Sequence, residues 1–299
     1  AAGEVMSTGL YNTLIGGLAG DALTTGNKNV AIGTSALSAE DAHTGNTAVG
    51  YYALRDLNAG ADAYNTAVGF EAGRVMSTGV ENTIIGKGAG DALTTGSYNT
   101  ALGYGALTAE DNHGYNTAIG YKSLYVQDAG ANAYNVAVGH AAGKAITTGV
   151  ENTIVGGLAG DSLTVGVRNV AVGTYALSAE DGNGYNVAVG HTALLNQNAG
   201  ADAFNVAVGY TAGSAVTTGV RNTLMGGLAG DALTTGAYNV AIGYAALSAE
   251  DTGQSNTAIG YEALTVADFN GHAYNTALGL QAGVAVSTGV HNTLIGAKT

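Results

Sequence analysis

Apolar and polar residues alternate along the chain in short bursts that begin with an Asn and end with a Gly four residues later. The stretch YNTAVG at 64–69 returns as YNTAIG at 115–120, YNVAVG at 185–190 and YNTALG at 274–279. Counting from the Asn, position +1 holds Thr or Val, and position +3 holds Val, Ile, Leu or Met. A period of two residues predicts a short β-strand whose side chains point alternately to two faces.

The Asn–Gly phrase recurs at a nearly constant spacing. Successive Asn residues lie 17, 17, 19 and 17 residues apart, and this set of four steps, the super-repeat, occurs four times. The Asn positions are 12, 29, 46, 65, 82, 99, 116, 135, 152, 169, 186, 205, 222, 239, 256, 275 and 292. Such a unit is too short for the common helical repeats, but it fits one coil of a β-solenoid with two or three short strands and tight Gly turns.

We therefore expect an all-β fold, a parallel β-solenoid of about 17 coils of 17 or 19 residues. Residues 1–299 form a single array of four-coil super-repeats in this interpretation. Because the sequence starts and stops within a repeat, we expect it to be a segment of a longer chain. The Asn column and the +3 column should each be in register from coil to coil.

The apolar columns also predict how the chains associate. We expect the β-branched side chains at +1 and +3 to fill the interior, with smaller residues at +2 and +7, such as Ala67 and Ala72, on the opposite face. An exposed apolar stripe along every coil is a surface that soluble monomers avoid. Three chains that pack these stripes around one axis would bury them, which predicts a parallel homotrimer.

The composition narrows the function classes. The chain has 9 Lys and Arg against 22 Asp and Glu, for a net charge of −13, with 49 Gly and no Cys, Pro or Trp. An acidic chain with few basic residues is a poor ligand for nucleic acid, and no apolar run predicts membrane insertion in this segment. The absence of Pro suits uninterrupted hydrogen-bonded ladders, since Pro lacks the backbone donor.

The recurring polar and aromatic residues have a structural interpretation and a functional one. We interpret the Asn column as a ladder of amides that bond along the stack, in preference to a row of ligand-binding groups. Tyr residues precede the Asn or follow the Gly, and we interpret them as rings that pack at coil edges, with a carbohydrate-binding surface as the alternative. The Tyr residues in question are Tyr11, Tyr51, Tyr64, Tyr98, Tyr104, Tyr115, Tyr121, Tyr134, Tyr185, Tyr210, Tyr238, Tyr244, Tyr261 and Tyr274.

Acidic residues recur once per super-repeat in each of two columns. We interpret both columns as solvated charges that keep the array soluble, with Ca²⁺ binding as the alternative. The columns are Glu40/Asp41, Glu110/Asp111, Glu180/Asp181 and Glu250/Asp251, and Asp21, Asp91, Asp161 and Asp231. The six His residues do not pair in sequence; they are His43, His113, His140, His191, His272 and His291.

No group of nucleophile, base and orienting residue stands apart from the repeat. Equivalent coils of different super-repeats differ mainly at turn positions and stay alike at core positions, as a spacer tolerates. We therefore predict no catalytic, cofactor-binding or metal-binding residue, no cofactor, and no enzymatic activity. Divalent metal should be dispensable for the fold.

The phrases YNTAVG, YNVAVG and NTAIG, followed two residues later by AL or AG, resemble a known type of repeat. They are similar to repeats in the heads of trimeric autotransporter adhesins and, more closely, to arrays in bacteriophage tail fibres. The resemblance covers essentially the whole chain. It implies a left-handed parallel β-roll, with three chains side by side and one coil per repeat.

From the repeat and the resemblance we expect the structural shaft of a trimeric adhesive fibre, of the phage tail-fibre type, that presents a receptor-binding tip. The alternative is the head domain of a cell-surface trimeric adhesin. A self-assembling extracellular filament or an ice-binding solenoid is the second alternative. The expected partners are the chain itself, as a homotrimer, and a host-surface receptor reached through neighbouring domains. The expected location is a virion tail fibre or the extracellular surface of a cell.

Overall fold

A computed structural model describes residues 1–109 and 111–299. The chain forms two compact units, Ala1–Glu151 and Asn152–Thr299, and each is a parallel β-solenoid. Together they comprise about 17 coils, and no helix occurs among the described residues. Over the same residues, no helix is present that could cross a membrane.

Each coil contributes one short strand, directly after its Asn. The first unit contains β1 (Thr13–Ile15), β2 (Val30–Ile32), β3 (Thr47–Val49), β4 (Thr66–Val68), β5 (Thr83–Ile85), β6 (Thr100–Leu102), β7 (Thr117–Ile119) and β8 (Val136–Val138). The second contains β9 (Thr153–Val155), β10 (Val170–Val172), β11 (Val187–Val189), β12 (Val206–Val208), β13 (Thr223–Met225), β14 (Val240–Ile242), β15 (Thr257–Ile259), β16 (Thr276–Leu278) and β17 (Thr293–Ile295).

Within each unit, successive strands pair in parallel with equivalent positions opposite one another. Thr66 pairs with Thr83 and Val68 with Ile85, for example, which confirms the predicted register. The expectation of two or three strands per coil is wrong for the described residues. The remainder of each coil consists of turns, whose backbone groups bond to the neighbouring coil one at a time, as when Leu37 N donates to Ala53 O at 3.0 Å.

The invariant Gly at +4 is required by the close approach of successive coils. At Gly50 the backbone has a φ of 138°, and a Cβ atom built there would lie 2.2 Å from the carbonyl oxygen of Gly69 in the next coil. Two constraints therefore act together at this corner, a left-handed backbone and a contact with no room for a side chain.

The two faces of the strand are the reverse of those predicted. Ala67 at +2 and Ala72 at +7 are fully buried, whereas Val68 at +3 is 36% exposed on the outer face. Asn65 decides the orientation, because its buried amide bonds to the backbone from inside, and period-two geometry carries +2 to the same side. The interior is narrow, so most coils have Ala at +2 and +7, and the +1 and +3 residues face outward.

Large and small residues alternate within this narrow core. Coils with Leu or Ile at +2 have Gly at +8, and a Cβ at Gly20 would lie 2.8 Å from Leu14 Cδ2. The next coil has Ala31 at +2 and the fully buried Leu37 at +8. The backbone is the same in both cases, with φ of 54° at Gly20 and 52° at Leu37. The volume of the surrounding side chains therefore determines which residue occupies +8.

Candidate functional site

The Asn column joins each coil to the one that follows. Asn65 Oδ1 accepts a hydrogen bond from Asn82 N at 2.9 Å, and Asn65 Nδ2 donates to Gly79 O at 2.7 Å. The next coil repeats this arrangement, with Asn99 N on Asn82 Oδ1 at 2.9 Å. The predicted ladder is present, but its bonds run mainly from side chain to backbone, and few amides bond to the next amide. The column is therefore structural.

The ladder is incomplete in the 19-residue coils. In 17-residue coils the amide Nδ2 donates to a carbonyl near the end of its own coil, as in the bond from Asn65 to Gly79, and the two-residue insertion displaces that carbonyl. The backbone bond survives, since Asn65 N donates to Asn46 Oδ1 at 3.1 Å. The Nδ2 atoms that are buried without a partner belong to the Asn residues that begin the four 19-residue coils, Asn46, Asn116, Asn186 and Asn256.

The acidic residues in the coil before each insertion were interpreted as solvated charges, and for the glutamates this interpretation is wrong. Glu40, Glu180 and Glu250 are fully buried, so they are not solvated charges. They occupy position +11, which holds Leu23, Leu57 and other apolar residues elsewhere in the core. Glu110 lies outside the described residues. The neighbouring Asp41, Asp181 and Asp251 are exposed, as predicted.

The buried glutamates bond to the turns around them. Glu180 Oε1 accepts from Asn183 N at 3.0 Å and from Asn183 Nδ2 at 2.9 Å. Glu250 Oε1 accepts from Gly253 N at 2.6 Å, and its Oε2 accepts from Phe269 N, in the 19-residue coil, at 3.2 Å. Each Glu thus stabilises a turn beside an insertion.

Burial raises the pKa of two of these glutamates and of one aspartate. Burial raises the pKa of Glu250 to about 7, against the opposing effect of the two backbone N–H donors. Burial also raises the pKa of Glu180, although the bonds from Asn183 oppose the change. In the second acidic column, burial raises the pKa of Asp231.

The second acidic column is half-buried and not freely solvated. Asp91 accepts from Arg74 Nε at 2.9 Å, and Asp161 Oδ1 accepts from Ser178 Oγ at 2.6 Å. Asp21 Oδ1 and Asp231 Oδ1 are buried without a partner. Asp91 and Asp161 therefore attach one coil to its neighbour, at positions where the sequence had predicted free surface charge.

Among the described residues, three groups of side chains of the kind that bind metals come together, each with ligand atoms within 4.8 Å of one another. They are Glu40, Asp41 and His43; Asp111, His113 and Asp128; and Glu250, Asp251 and Asp268. In the first group, Glu40 Oε1 already contacts His43 Nδ1 at 2.6 Å and accepts from His43 N at 3.1 Å. The Glu40 carboxylate therefore stabilises its own turn. The sequence did not predict that these side chains lie close together.

Aromatic residues form two stacked columns, one on each side of the strands. Before the Asn, Tyr98, Tyr115 and Tyr134 stack with ring centroids 4.9 Å apart. After the Gly, the rings of Tyr104 and Tyr121 lie 5.4 Å apart. The interpretation of these residues as rings that pack between coils is confirmed at these positions. Their outer edges remain exposed, with Tyr98 at 45% and Tyr104 at 48%.

One cleft, of about 100 Å³, lies on the turn side of three successive coils in the first unit. Its floor contains Gly88 and Gly105, and its walls contain Lys87, Tyr104 and Tyr125. Asp91 and Thr108 also line the cleft. These residues come from turn positions of different coils, and they approach one another because consecutive coils stack in register.

Comparison with known proteins finds no family model that matches the chain and no similar curated protein.

Proposed function

We propose that this chain is the structural shaft of a trimeric adhesive fibre, of the phage tail-fibre type, that presents a receptor-binding tip. The observation that carries the proposal is the outer face of the strands. There, in each unit, the +3 side chains form an apolar column that a single chain leaves partly uncovered, with Val68 and Leu102 of the first unit exposed by 36% and 40% and Met225 of the second by 42%. The fibre would act on a virion or at the extracellular surface of a cell.

The outer strand face also supports association with further copies of the same chain. A continuous apolar column is a surface that soluble monomers avoid, and a partner of the same repeat length matches its period. Three parallel chains around one axis bury three such columns and close the assembly. The chains would contact one another through the +1 and +3 side chains, since the +2 and +7 side chains are buried in the interior of each coil. The resemblance to trimeric fibre repeats favours three chains.

The alternative function is the head domain of a cell-surface trimeric adhesin, in which the coils themselves bind a ligand. The exposed edges of the two aromatic columns favour this alternative, since tyrosine rings suit contact with glycans or proteins. In either function the chain has itself as its first partner, and a shaft would reach a host-surface receptor through neighbouring domains. We propose neither catalysis nor nucleic-acid binding for it.

Light scattering on the size-separated protein tests the trimer. We expect a mass three times that of the 29.4 kDa chain. Leu102→Lys should reduce the mass to that of one chain, because it places a charge in the apolar outer column. Ala61→Lys, in an exposed loop, is the matched control and should leave the trimer intact. A wild-type protein that is monomeric at micromolar concentration would rule out the trimer.

A further inference from the structure

The cleft lies where one copy of the super-repeat departs from the other three. Lys87 stands where the other copies have Gly17, Gly157 and Gly227, and Gly88 stands where they have Leu18, Leu158 and Leu228. Gly105 and Tyr125 also differ from all their counterparts, which are Ser35, Tyr175 and Ala245, and Arg55, Leu195 and Thr265. The positions had been interpreted as tolerant turn residues, yet four of the departures converge on one cleft.

The two glycines create the space. A Cβ atom at Gly88 would meet nothing within 4 Å, so the cleft is open where the other copies carry a leucine. At Gly105 a Cβ atom would lie 3.3 Å from the ring of Tyr125. The absence of a side chain there allows the Tyr125 ring to lie against the backbone and form a wall.

The charges in the cleft do not cancel. Asp91 is engaged by Arg74, with Nε–Oδ1 at 2.9 Å. Lys87 Nζ lies 5.6 Å from the ring centroid of Phe70 and 5.9 Å from that of Tyr104. No carboxylate of the described residues lies within 4.0 Å of this ammonium. The cleft therefore presents an uncompensated positive charge on a chain whose net charge is −13.

We propose that this cleft binds one sugar unit of a glycan, and that the sugar carries a carboxylate. The Tyr104 ring and the edge of the Tyr125 ring offer apolar surface to the C–H groups of a pyranose. One side of the Tyr125 ring lies against Gly105, and Lys122 Nζ lies 4.7 Å from its centroid. Lys87 offers an ammonium to the carboxylate. Thr108 Oγ1 donates to Gly88 O at 3.3 Å, which leaves its oxygen lone pairs as acceptors for a sugar hydroxyl.

The other copies of the repeat are internal controls for this assignment. Leu18, Leu158 and Leu228 have φ between 55° and 59°, and Gly88 has a φ of 61°. Gly88→Leu therefore places a residue that the fold already accepts at this position and fills the cleft. In the same way, Lys87→Gly restores the residue of the other copies and removes the ammonium together with its contacts to the Phe70 and Tyr104 rings.

The test uses saturation-transfer NMR with two tetrasaccharides and the full chain. Hyaluronan tetrasaccharide supplies glucuronate, and N-acetylchitotetraose is a neutral probe of the same length. We expect the wild type to bind the first with a dissociation constant in the millimolar range, roughly as one small sugar contact allows, and the second about tenfold more weakly. Lys87→Gly should remove the preference for the acidic probe.

Gly88→Leu should weaken binding of hyaluronan tetrasaccharide by about tenfold or more, because the side chain occupies the sugar's place. Leu158→Gly is the matched control: it makes the opposite change at the equivalent position of the third copy and should leave binding as in the wild type. The proposal is overturned by equal binding in wild type and Gly88→Leu, by equal binding of both probes, or by no binding at about 20 mM probe.

Discussion

The 17-residue and 19-residue coils use the same Asn in different ways. In the coil that begins at Asn65, the amide accepts one backbone bond and donates another, so both of its polar atoms have partners. In the coil that begins at Asn46, the amide accepts the backbone bond, but Nδ2 is buried without a partner. The two extra residues in the coil thus remove one of the two hydrogen bonds that the Asn side chain makes in a 17-residue coil.

The chain adds a carboxylic acid next to each such coil whose neighbour is described. Glu40, Glu180 and Glu250 all lie in the coil just before an insertion, at a core position that holds an apolar residue or a buried Gln in the other coils. Their carboxyl groups bond to turn N–H groups, and Glu250 reaches Phe269 inside the 19-residue coil. The super-repeat therefore joins two features, an insertion and a buried acid that stabilises the turns around it.

The largest expected effect comes from Asn65→Ala. The substitution leaves Asn82 N–H and Gly79 C=O buried without partners, and we expect a local cost of about 3 kcal/mol. Asn46→Ala leaves only Asn65 N–H unpartnered and removes a buried unpartnered Nδ2, so we expect about 1 kcal/mol. Native-state hydrogen exchange of the Asn82 and Asn65 amides measures the two costs. Equal free-energy costs for Asn65→Ala and Asn46→Ala would show that the Nδ2 hydrogen bond to Gly79 adds no stability.

The second expectation concerns pH. Burial raises the pKa of Glu250 from 4.5 to about 7, so the folded state binds this proton more tightly than the unfolded chain. The contribution is complete below pH 4.5 and is lost as the pH rises through 7, at a cost of about 2 to 3 kcal/mol by pH 8. Glu250→Gln should remove this part of the pH dependence of local hydrogen exchange.

Glu81→Gln, on an exposed side chain, is the matched control for Glu250→Gln. Unfolding free energies derived from exchange of the Phe269 amide at pH 5 and pH 8 provide the measurement. A wild-type value at Phe269 that is the same at both pH values would contradict the raised pKa.

A smaller effect is expected from deletion of Gly60 and Ala61. Both residues are exposed in the inserted loop, and their removal shortens the coil of Asn46 to the length of its neighbours. Asn46 Nδ2 then regains a carbonyl acceptor, and we expect a local gain of about 1 kcal/mol. The gain should disappear when the deletion is combined with Asn46→Ala. A gain of the same size in the double variant would assign it to the shorter loop.

The smallest effect is expected from a chelator. Since Glu40 Oε1 already bonds to His43, and Glu250 to backbone N–H groups, we expect EDTA to change the melting temperature by less than about 1 °C. A decrease of several degrees would mean that the groups around Glu40 and Glu250 bind a metal. The variants His43→Ala and Asp268→Ala would then show which group is responsible.

The sequence was sufficient to predict the coil count, the parallel register and the Asn ladder, because each follows from spacing. It did not predict which strand face lies inside. The β-branched residues suggested that +1 and +3 face the interior, but the hydrogen bonds of Asn65 show that +2 does. The burial of Glu40 was missed too, although its column holds Leu23 and Leu57. The cleft could not be predicted, because Lys87 and Tyr125 are distant in the sequence and converge only through stacking.

The direction of the Asn bonds has a consequence for synthesis. The side chain of Asn65 is satisfied only by atoms that come later in the chain, Gly79 O and Asn82 N. A coil that has just left the ribosome therefore has its interior amide incompletely paired until the next coil begins. We therefore expect each new coil to complete the hydrogen bonds of the one before it as the chain is synthesised.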